Sequence, residues 1–111
     1  MSTESFELET VKVDIDDKVA IVTLNRPQKR NAMSPQLHLD MVKILETLRY
    51  APDGNVVVIT GEGTAFCGGM DLKEFCIKNR DDKVAFEASF RAATEWRGRT
   101  LRYYPKVTIA M

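Results

Sequence analysis

The stretch "VVVITGEGTAFCGGMDLKEF", Val56–Phe75, decides the fold. Its first residues are apolar and β-branched and are bounded by glycine on both sides, which predicts an interior strand from Asn55 to Thr60. Its last residues predict a helix that begins near Asp71. A strand that is followed by a glycine-rich loop and a helix is typical of a layered α/β architecture.

Two further strands are predicted upstream. Val11, Val13 and Ile15 alternate with charged residues, which is the period-two pattern of a strand with one wet face. The run "VAIVTL", Val19–Leu24, is apolar at nearly every position and predicts a strand that is buried on both faces. With the polar turn between them, the two segments predict a hairpin that follows a frayed N-terminus.

A helix of about four turns is predicted after the hairpin. Ser34 provides a side-chain cap for the first free amides, and Pro35 already has the helical φ. Apolar residues then recur at helical spacing up to the turn "APDG": Leu37, Met41, Ile44, Leu45 and Leu48.

Another helix and a last strand are predicted downstream. A helical stripe runs from Asp82 to about Tyr104, Gly98 marks a bend in it, and Pro105 ends it. The stripe consists of Val84, Phe86, Phe90, Ala93, Trp96 and Leu101. The final run "KVTIAM" predicts a strand. Strands with intervening helices predict an α/β fold, with residues 1–111 in one domain.

The composition argues against several classes of function. The chain has 44% hydrophobic and 29% charged residues, as soluble globular proteins do. Lys and Arg together number 16, as do Asp and Glu, so no general field attracts nucleic acid or an anionic membrane. The start "MSTESFELET" is unlike a secretory signal, and no apolar run is long enough to span a bilayer. A cytoplasmic protein is therefore predicted.

The reactive side chains form no familiar catalytic or metal-binding pattern. The spacing of Cys67 and Cys76 fits neither a zinc site nor a redox pair, so two reduced thiols and no metal are predicted. Cys67 has no evident base and is interpreted as a packing residue. His38, the one histidine, is placed beside the polar face of the first helix, outside any triad. The arginines from Arg91 to Arg102 are interpreted as a solvated face.

The glycine loop has three possible interpretations. The first is a phosphate-binding or dinucleotide-binding loop, but the stretch lacks the glycine and lysine spacing of either. The second is a plain tight turn, which explains Gly61 and Gly63. In the third interpretation, free amides between Gly69 and Leu72 at the helix start serve as donors for a developing oxyanion, while Gly68 and Gly69 leave space for it.

Lys29 and Arg30 also have two interpretations. They lie in the loop "NRPQKRNAMSP" before the first helix. A solvated basic pair is one explanation of them. The other is a contact with a phosphorylated ligand, because guanidinium and ammonium groups are natural partners of phosphate oxygens.

Together, these segments resemble the crotonase superfamily, the enoyl-CoA hydratases and isomerases. The quoted strand–loop–helix stretch is similar to its oxyanion segment, "VAIVTLNRPQKRNAMS" to its first strand and adenosine-side loop, and "PKVTIAM" to the strand that enters its second half-site. Within that superfamily the chain looks most like the hydroxycinnamoyl-CoA (feruloyl-CoA) hydratase-lyases. The resemblance implies the N-terminal part of a ClpP/crotonase-like ββα spiral fold.

The resemblance also implies a site for a CoA thioester. The thioester oxygen would accept a hydrogen bond from the backbone N–H of Met70. Lys29 and Arg30 would lie near the CoA, and Gly68 and Leu72 would supply backbone contacts. Coenzyme A would be part of the substrate, with no resident cofactor, and the intact protein would be a homotrimer or hexamer.

Two further positions follow from the same resemblance. Asp71 would order the helix start rather than transfer a proton. Phe75 takes a substrate-facing place where the hydratase-lyases tend to carry tyrosine, so the ring is kept and the hydroxyl is lost. The family's second oxyanion donor, a glycine, and its acid/base glutamate are expected beyond Met111. The chain is thus predicted to be truncated in the second half-site strand and to be inactive alone.

The reaction implied for the intact protein is a two-step lyase reaction. Water adds to an aryl-acryloyl-CoA of the feruloyl or coumaroyl type, and cleavage then gives an aromatic aldehyde and acetyl-CoA. One alternative is an enoyl-CoA hydratase or isomerase that acts on aliphatic acyl-CoA. The other is a non-catalytic fragment that binds CoA or associates with other subunits.

Overall fold

A five-stranded mixed sheet forms one layer of the fold. The computed structural model describes residues 4–111. Its strands are β1 (Glu4–Glu7), β2 (Val11–Asp16), β3 (Val19–Leu24), β4 (Val56–Gly61) and β5 (Val107–Ala110), which lie side by side in chain order. The first three strands pair antiparallel, whereas β3, β4 and β5 pair parallel. The α/β class and the interior position of β4 are confirmed.

The β2–β3 hairpin forms as predicted. Asp17 and Lys18 are its two turn residues, and both have positive φ, at 51° and 68°. Such a turn matches the right-handed twist of the flanking strands. The predicted frayed N-terminus is wrong from residue 4 onward, because β1 pairs with the edge of β2 and places Phe6 opposite Val13. Residues 1–3 lie outside the described part of the chain.

Side-chain caps start the helices. The described residues contain three α-helices: α1 (Pro35–Arg49), α2 (Leu72–Asp81) and α3 (Lys83–Glu95). Ser34 caps α1 as predicted, since its Oγ accepts a hydrogen bond from the Leu37 N–H at 3.2 Å. Asp71 and Asp82 cap α2 and α3 in the same way. Each cap satisfies an amide that has no partner inside its helix.

The helix predicted from Asp82 to about Tyr104 is shorter in the structure. α3 ends at Glu95, and Trp96–Thr100 continue as one π-helical turn. Gly98 lies in that turn, where the sequence predicted a bend. Glycine disfavours a regular α-helix by about 1 kcal/mol relative to alanine, which is consistent with the change of geometry there.

The core lies between one face of the sheet and α1. The five apolar residues predicted for α1 are fully buried: Leu37, Met41, Ile44, Leu45 and Leu48. They form one cluster with inward-facing residues of β2, β3 and β4 and with Trp96. The prediction that β3 is buried on both faces is wrong. Ile21 points to the opposite face of the sheet and is 39% exposed.

Small side chains of α3 pack against α1. Ser89, Ala92 and Ala93 are buried, whereas Val84 and Phe90 are 81% and 53% exposed. The predicted stripe is therefore wrong at Val84 and Phe90. Because the distance between two packed helices depends on the side chains at the contact, small residues let α3 approach α1 closely.

The segment before β5 anchors the C-terminal end of α1. The Tyr104 hydroxyl donates a hydrogen bond to the Leu45 carbonyl oxygen. Lys106 Nζ donates to the carbonyl oxygens of Leu48 and Ala51. The Lys106 contacts add to the hydrogen bond that the Ala51 N–H donates to the Leu48 carbonyl at the end of α1. They also hold β5 in place beside β4.

Candidate functional site

Two loops meet at the carboxyl ends of β3 and β4. The first loop joins β3 to α1, and the second joins β4 to α2. An isolated parallel bridge connects them: the Met33 N–H donates to the Gly69 carbonyl at 2.7 Å, and the Asp71 N–H donates to the Met33 carbonyl at 3.0 Å. In open α/β sheets, ligands bind in the crevice outside the carboxyl ends of the strands. The loops therefore lie where this architecture places a site.

Asn31 ties the two loops together. It is fully buried and has a φ of 57°. Its Oδ1 accepts from the Arg26 N–H at 2.8 Å, and its Nδ2 donates to the Glu62 and Ala65 carbonyls at 2.9 and 2.8 Å. The sequence patterns did not point to Asn31. The residue type was the one signal in the sequence for this role. Asparagine tolerates the left-handed region of φ and ψ, and its side chain carries both a hydrogen-bond donor and an acceptor.

The Met70 amide is a free hydrogen-bond donor at the start of α2. The neighbouring amides all donate hydrogen bonds. The Gly69 N–H donates to Cys67 Sγ at 3.5 Å, and the Asp71 N–H donates to the Met33 carbonyl. The Leu72 N–H donates to the Met70 carbonyl at 3.1 Å. No acceptor for the Met70 N–H is present among residues 4–111. Of the amides predicted as donors between Gly69 and Leu72, only Met70 has this property in the described chain.

Glycine occupies the two positions before Met70 for two different structural reasons. Gly69 has a φ of 96°, which favours glycine, and a Cβ added there would meet no atom within 4 Å. A Cβ on Gly68 would lie 3.2 Å from the Arg30 carbonyl oxygen. Gly68 therefore leaves room for the backbone of the first loop, and Gly69 provides the conformation that precedes the free amide.

Asp71 orders the start of α2, as predicted. Its Oδ1 accepts from the Glu74 N–H at 3.1 Å, and its Oδ2 accepts from Arg26 Nη2 at 3.0 Å. Partial burial tends to raise the pKa of Asp71, but the Glu74 amide, the Arg26 guanidinium and the nearby charge of Lys29 together hold that pKa below its usual value. The carboxylate is thus stabilised in its charged form, which suits a structural role.

Lys29 and Arg30 lie in the first loop, and both of their carbonyl oxygens would be within 4 Å of a Cβ added to Gly68. Lys29 ends a short 3₁₀ turn, Pro27–Lys29, and Arg30 follows with a φ of 52°. Both residues are exposed, and neither forms an ion pair with any residue between 4 and 111. Their charges are therefore available to an anionic ligand.

One known protein family matches almost the whole chain, including the two loops described above. The family described as enoyl-CoA hydratase/isomerase matches residues 14–111. The chain belongs to this family. The match includes both loops and every residue of the crevice described above, and it confirms the resemblance that the sequence motifs indicated.

Two relatives and a solved structure show how much of the family the chain covers. It is 47% identical over 112 residues to a hydroxycinnamoyl-CoA hydratase-lyase of Pseudomonas fluorescens, with 100% of this chain and 41% of that protein aligned. It is 39% identical over 84 residues to a probable enoyl-CoA hydratase of Mycobacterium tuberculosis, covering 76% of this chain and 32% of that protein. An enoyl-CoA hydratase structure from Polaromonas sp. JS666 superposes with a TM-score of 0.76 at 31% identity, covering 90% and 38%.

The chain thus spans less than half the length of these enoyl-CoA hydratase/isomerase relatives. The crystallographic relative confirms the fold for the N-terminal part of the family domain.

Leu72 and Phe75 differ in accessibility in this family member. Leu72 is 71% exposed at the first turn of α2. The Phe75 side chain is 6% exposed and contacts the rings of His38 and Phe86, with centroid distances of 5.6 and 6.1 Å. The structure therefore brings the backbone of Lys29 and Arg30 close to Gly68, whereas the Phe75 ring lies between α1 and α3.

His38 is a core residue rather than a residue of the polar face, so that prediction is wrong. It is fully buried, and its Nδ1 accepts from Trp96 Nε1 at 2.9 Å. Its Nε2 has no hydrogen-bond partner in the described chain. Burial, with a smaller contribution from the charge of Arg97, lowers the pKa of His38 to about 4. The signal for burial was present, because His38 precedes Met41 by three positions on the apolar face.

A small apolar cavity of about 280 Å³ opens beside the crevice. It is lined in part by Leu24, Met33, Ile59, Cys67 and Ala110, which lie at or near the carboxyl ends of the parallel strands. Cys67 is a free thiol that packs against the core, as interpreted from the sequence, and Cys76 is also free.

Residues 4–111 contain neither a preformed metal site nor a helix that could span a membrane. No group of three His, Cys, Asp or Glu side chains there is arranged to hold a metal ion. In the same range, none of the helices has the length and apolar character needed to cross a bilayer.

Proposed function

We propose that this chain forms the thioester-binding part of a CoA-thioester lyase. The observation that carries the proposal is the Met70 N–H, a donor without an acceptor in the described chain, at the positive end of α2. Preorganised donors of this kind stabilise negative charge that develops on a carbonyl oxygen in the transition state. Met70 is thus the proposed catalytic position of this chain, acting through its backbone.

The proposed reaction uses this donor in two successive steps. Water adds its oxygen to the β-carbon of an aryl-acryloyl-CoA and a proton to the α-carbon. The β-hydroxyl then loses its proton, the bond between the α- and β-carbons breaks, and the electron pair passes to the thioester before protonation gives acetyl-CoA. The other product is an aromatic aldehyde. Both steps build charge on the thioester oxygen, so one oxyanion donor serves both.

The aryl substrate is supported by the 47% identity to a hydroxycinnamoyl-CoA hydratase-lyase over the whole chain. Lys29 and Arg30 are proposed to contact CoA phosphates, because they are exposed and form no ion pair with any residue from 4 to 111. The backbones of Gly68 and Leu72 are proposed to contact the ligand on either side of Met70. Trimeric or hexameric assembly and a cytoplasmic location of the intact protein remain parts of the proposal.

A second candidate function is a hydratase or isomerase that acts on aliphatic acyl-CoA. The 39% identity to a probable enoyl-CoA hydratase of Mycobacterium tuberculosis, over 76% of this chain, supports it. Assays of the longest polypeptide encoded by the gene, with feruloyl-CoA and with an alkyl enoyl-CoA, separate the two candidates. Aldehyde release from feruloyl-CoA is expected. Hydration of the alkyl thioester alone would favour the second candidate, and binding without turnover of either would favour a non-catalytic fragment.

An ester-for-amide exchange at Met70 tests the oxyanion donor directly. Residues 67–111 are synthesised with the hydroxy-acid analogue of methionine at position 70 and joined through Cys67 to residues 1–66. The exchange removes the N–H and keeps the side chain. A matched control carries the ester at Lys73, whose amide in the first turn of α2 also has no intrahelical partner.

The Met70 ester is expected to bind a CoA thioester roughly fivefold more weakly than the wild-type chain, as the loss of one neutral hydrogen bond predicts. In a chain with turnover, the expected rate loss is about 10²- to 10³-fold. Equal affinities for the Met70 ester, the Lys73 ester and the wild type would refute the proposed role of the Met70 amide.

A further inference from the structure

The direction of the Met70 N–H is fixed by the peptide group to which it belongs. A trans peptide points its carbonyl oxygen and its N–H in opposite directions. The Gly69 carbonyl accepts a hydrogen bond from the Met33 N–H at 2.7 Å, so the Met70 N–H of the same peptide points away from Met33. The next peptide is held as well, since Asp71 N–H donates to the Met33 carbonyl at 3.0 Å. The orientation of the donor therefore depends on how firmly Met33 and Asp71 are held together.

Arg26 joins the residues on both sides of that bridge. Its Nη1 donates to the carbonyl of Ala32, which precedes Met33, and its Nη2 donates to Asp71 Oδ2 at 3.0 Å. The side chains of Arg26 and Asp71 are only 13% and 12% exposed. A planar guanidinium can hold two acceptors in fixed geometry, which an ammonium group cannot do. One side chain thus spans the first loop and the cap of α2.

The backbone of Arg26 is itself fixed. Its N–H donates to Asn31 Oδ1, and its carbonyl accepts from the N–H groups of Lys29 and Asn31, each at 2.9 Å. The position from which the guanidinium extends is therefore defined by three hydrogen bonds. A side chain that extends from a fixed backbone can hold Asp71 at a fixed position relative to the first loop.

We propose that Arg26 is a positioning residue for the oxyanion donor. By joining the Ala32 carbonyl to Asp71, it keeps the Met33–Met70 bridge closed and the Met70 N–H directed into the crevice. This inference rests on the proposed function for its catalytic meaning, but its structural content, the orientation of one N–H, can be measured without any substrate.

The test uses conservative variants of the 111-residue chain. Arg26→Lys keeps the positive charge and loses the two-acceptor geometry. Asp71→Asn keeps a good helix cap and loses the charged partner. Arg80→Lys is the matched control, because Arg80 pairs with Asp81 at the other end of α2 and its side chain is 72% exposed. Folding of each variant is checked by Trp96 fluorescence.

Two quantities are measured on each variant. The first is the residual dipolar coupling of the Met70 N–H by NMR, which reports its orientation. The second is binding of 4-dimethylaminocinnamoyl-CoA, whose absorption shifts to the red when a donor polarises the thioester carbonyl. A merely stabilising role of Arg26 would change neither quantity in a folded variant.

We expect Arg26→Lys and Asp71→Asn to change the Met70 coupling, to reduce the red shift and to weaken thioester binding roughly fivefold or more. Arg80→Lys should match the wild type in all three. An unchanged Met70 coupling in both Arg26→Lys and Asp71→Asn would overturn the inference. If the couplings change but the wild type produces no red shift, the positioning role is supported and the proposed function fails.

Discussion

Acidification should destabilise the fold through His38 in a defined pH range. The imidazole is fully buried and neutral, accepts a hydrogen bond from Trp96, and has a pKa of about 4, against an ordinary value of 6.5. The unfolded chain therefore binds a proton at a higher pH than the folded chain. The contribution of neutral His38 to the free energy of unfolding is fully present above pH 6.5 and decreases as the pH falls toward 4. Below the folded pKa, this group causes no further loss.

The size of the effect follows from the two pKa values. A difference from 6.5 to about 4 corresponds to a total loss of about 3 kcal/mol, of which about 2 kcal/mol falls between pH 7 and pH 5. Asp71 acts in a different range. Because its pKa is lowered from 3.8, the stability that it contributes is present above pH 3.8 and is lost only as the pH falls through its folded pKa.

The assay is urea unfolding followed by the fluorescence of Trp96, which is the only tryptophan and is 6% exposed. The free energy of unfolding is obtained by linear extrapolation at several pH values between 7 and 4.5. The control is His38→Asn, whose amide oxygen can accept the Trp96 hydrogen bond but does not titrate. The wild type should lose about 2 kcal/mol more than His38→Asn between pH 7 and pH 5. Equal losses in the two proteins would refute the reasoning from the buried neutral imidazole.

Two further predictions concern the loops of the site. Asn31→Asp should destabilise the fold by about 3 kcal/mol or more, because a carboxylate oxygen would face the Glu62 and Ala65 carbonyls in place of the amide donor. Urea unfolding measures this, and a loss below about 1 kcal/mol would contradict it. Gly69→Ala should cost about 1 kcal/mol because of the positive φ, whereas Gly98→Ala, which has open space, should be neutral or stabilising. Similar unfolding energies for the two alanine variants would contradict the argument from φ.

The elements that could be predicted from the sequence are those whose caps and apolar residues lie close together in the chain. α1 was predicted with its cap and its buried face, because Ser34, Pro35 and the helical spacing from Leu37 to Leu48 all lie within one segment. The start of α2 at Asp71 was predicted for the same reason. A cap and the amide that it bonds are three residues apart, so the pattern is visible in a short window.

The elements that were missed depend on partners elsewhere in the chain. β1 is short and polar, and it forms a strand because β2 offers an edge to pair with. The apolar stripe of α3 has the correct period, yet Phe90 is exposed because the contact with α1 uses Ser89, Ala92 and Ala93 instead. Periodicity shows which residues share a face of a helix, but not which face the rest of the fold covers.

The contacts that orient the proposed oxyanion donor also join residues that are far apart in the chain, so a short window of sequence does not reveal them. The proposed donor is a backbone amide, so the side chain at position 70 carries no direct signal of its role. What directs that amide is a set of contacts across the chain: Arg26 to Asp71 over 45 residues, Asn31 to Ala65 over 34, and the bridge from Met33. Substitutions of the Met70 side chain should therefore matter less to the donor than substitutions of Arg26 or Asn31, because those two residues set the direction of an N–H that every residue except proline provides.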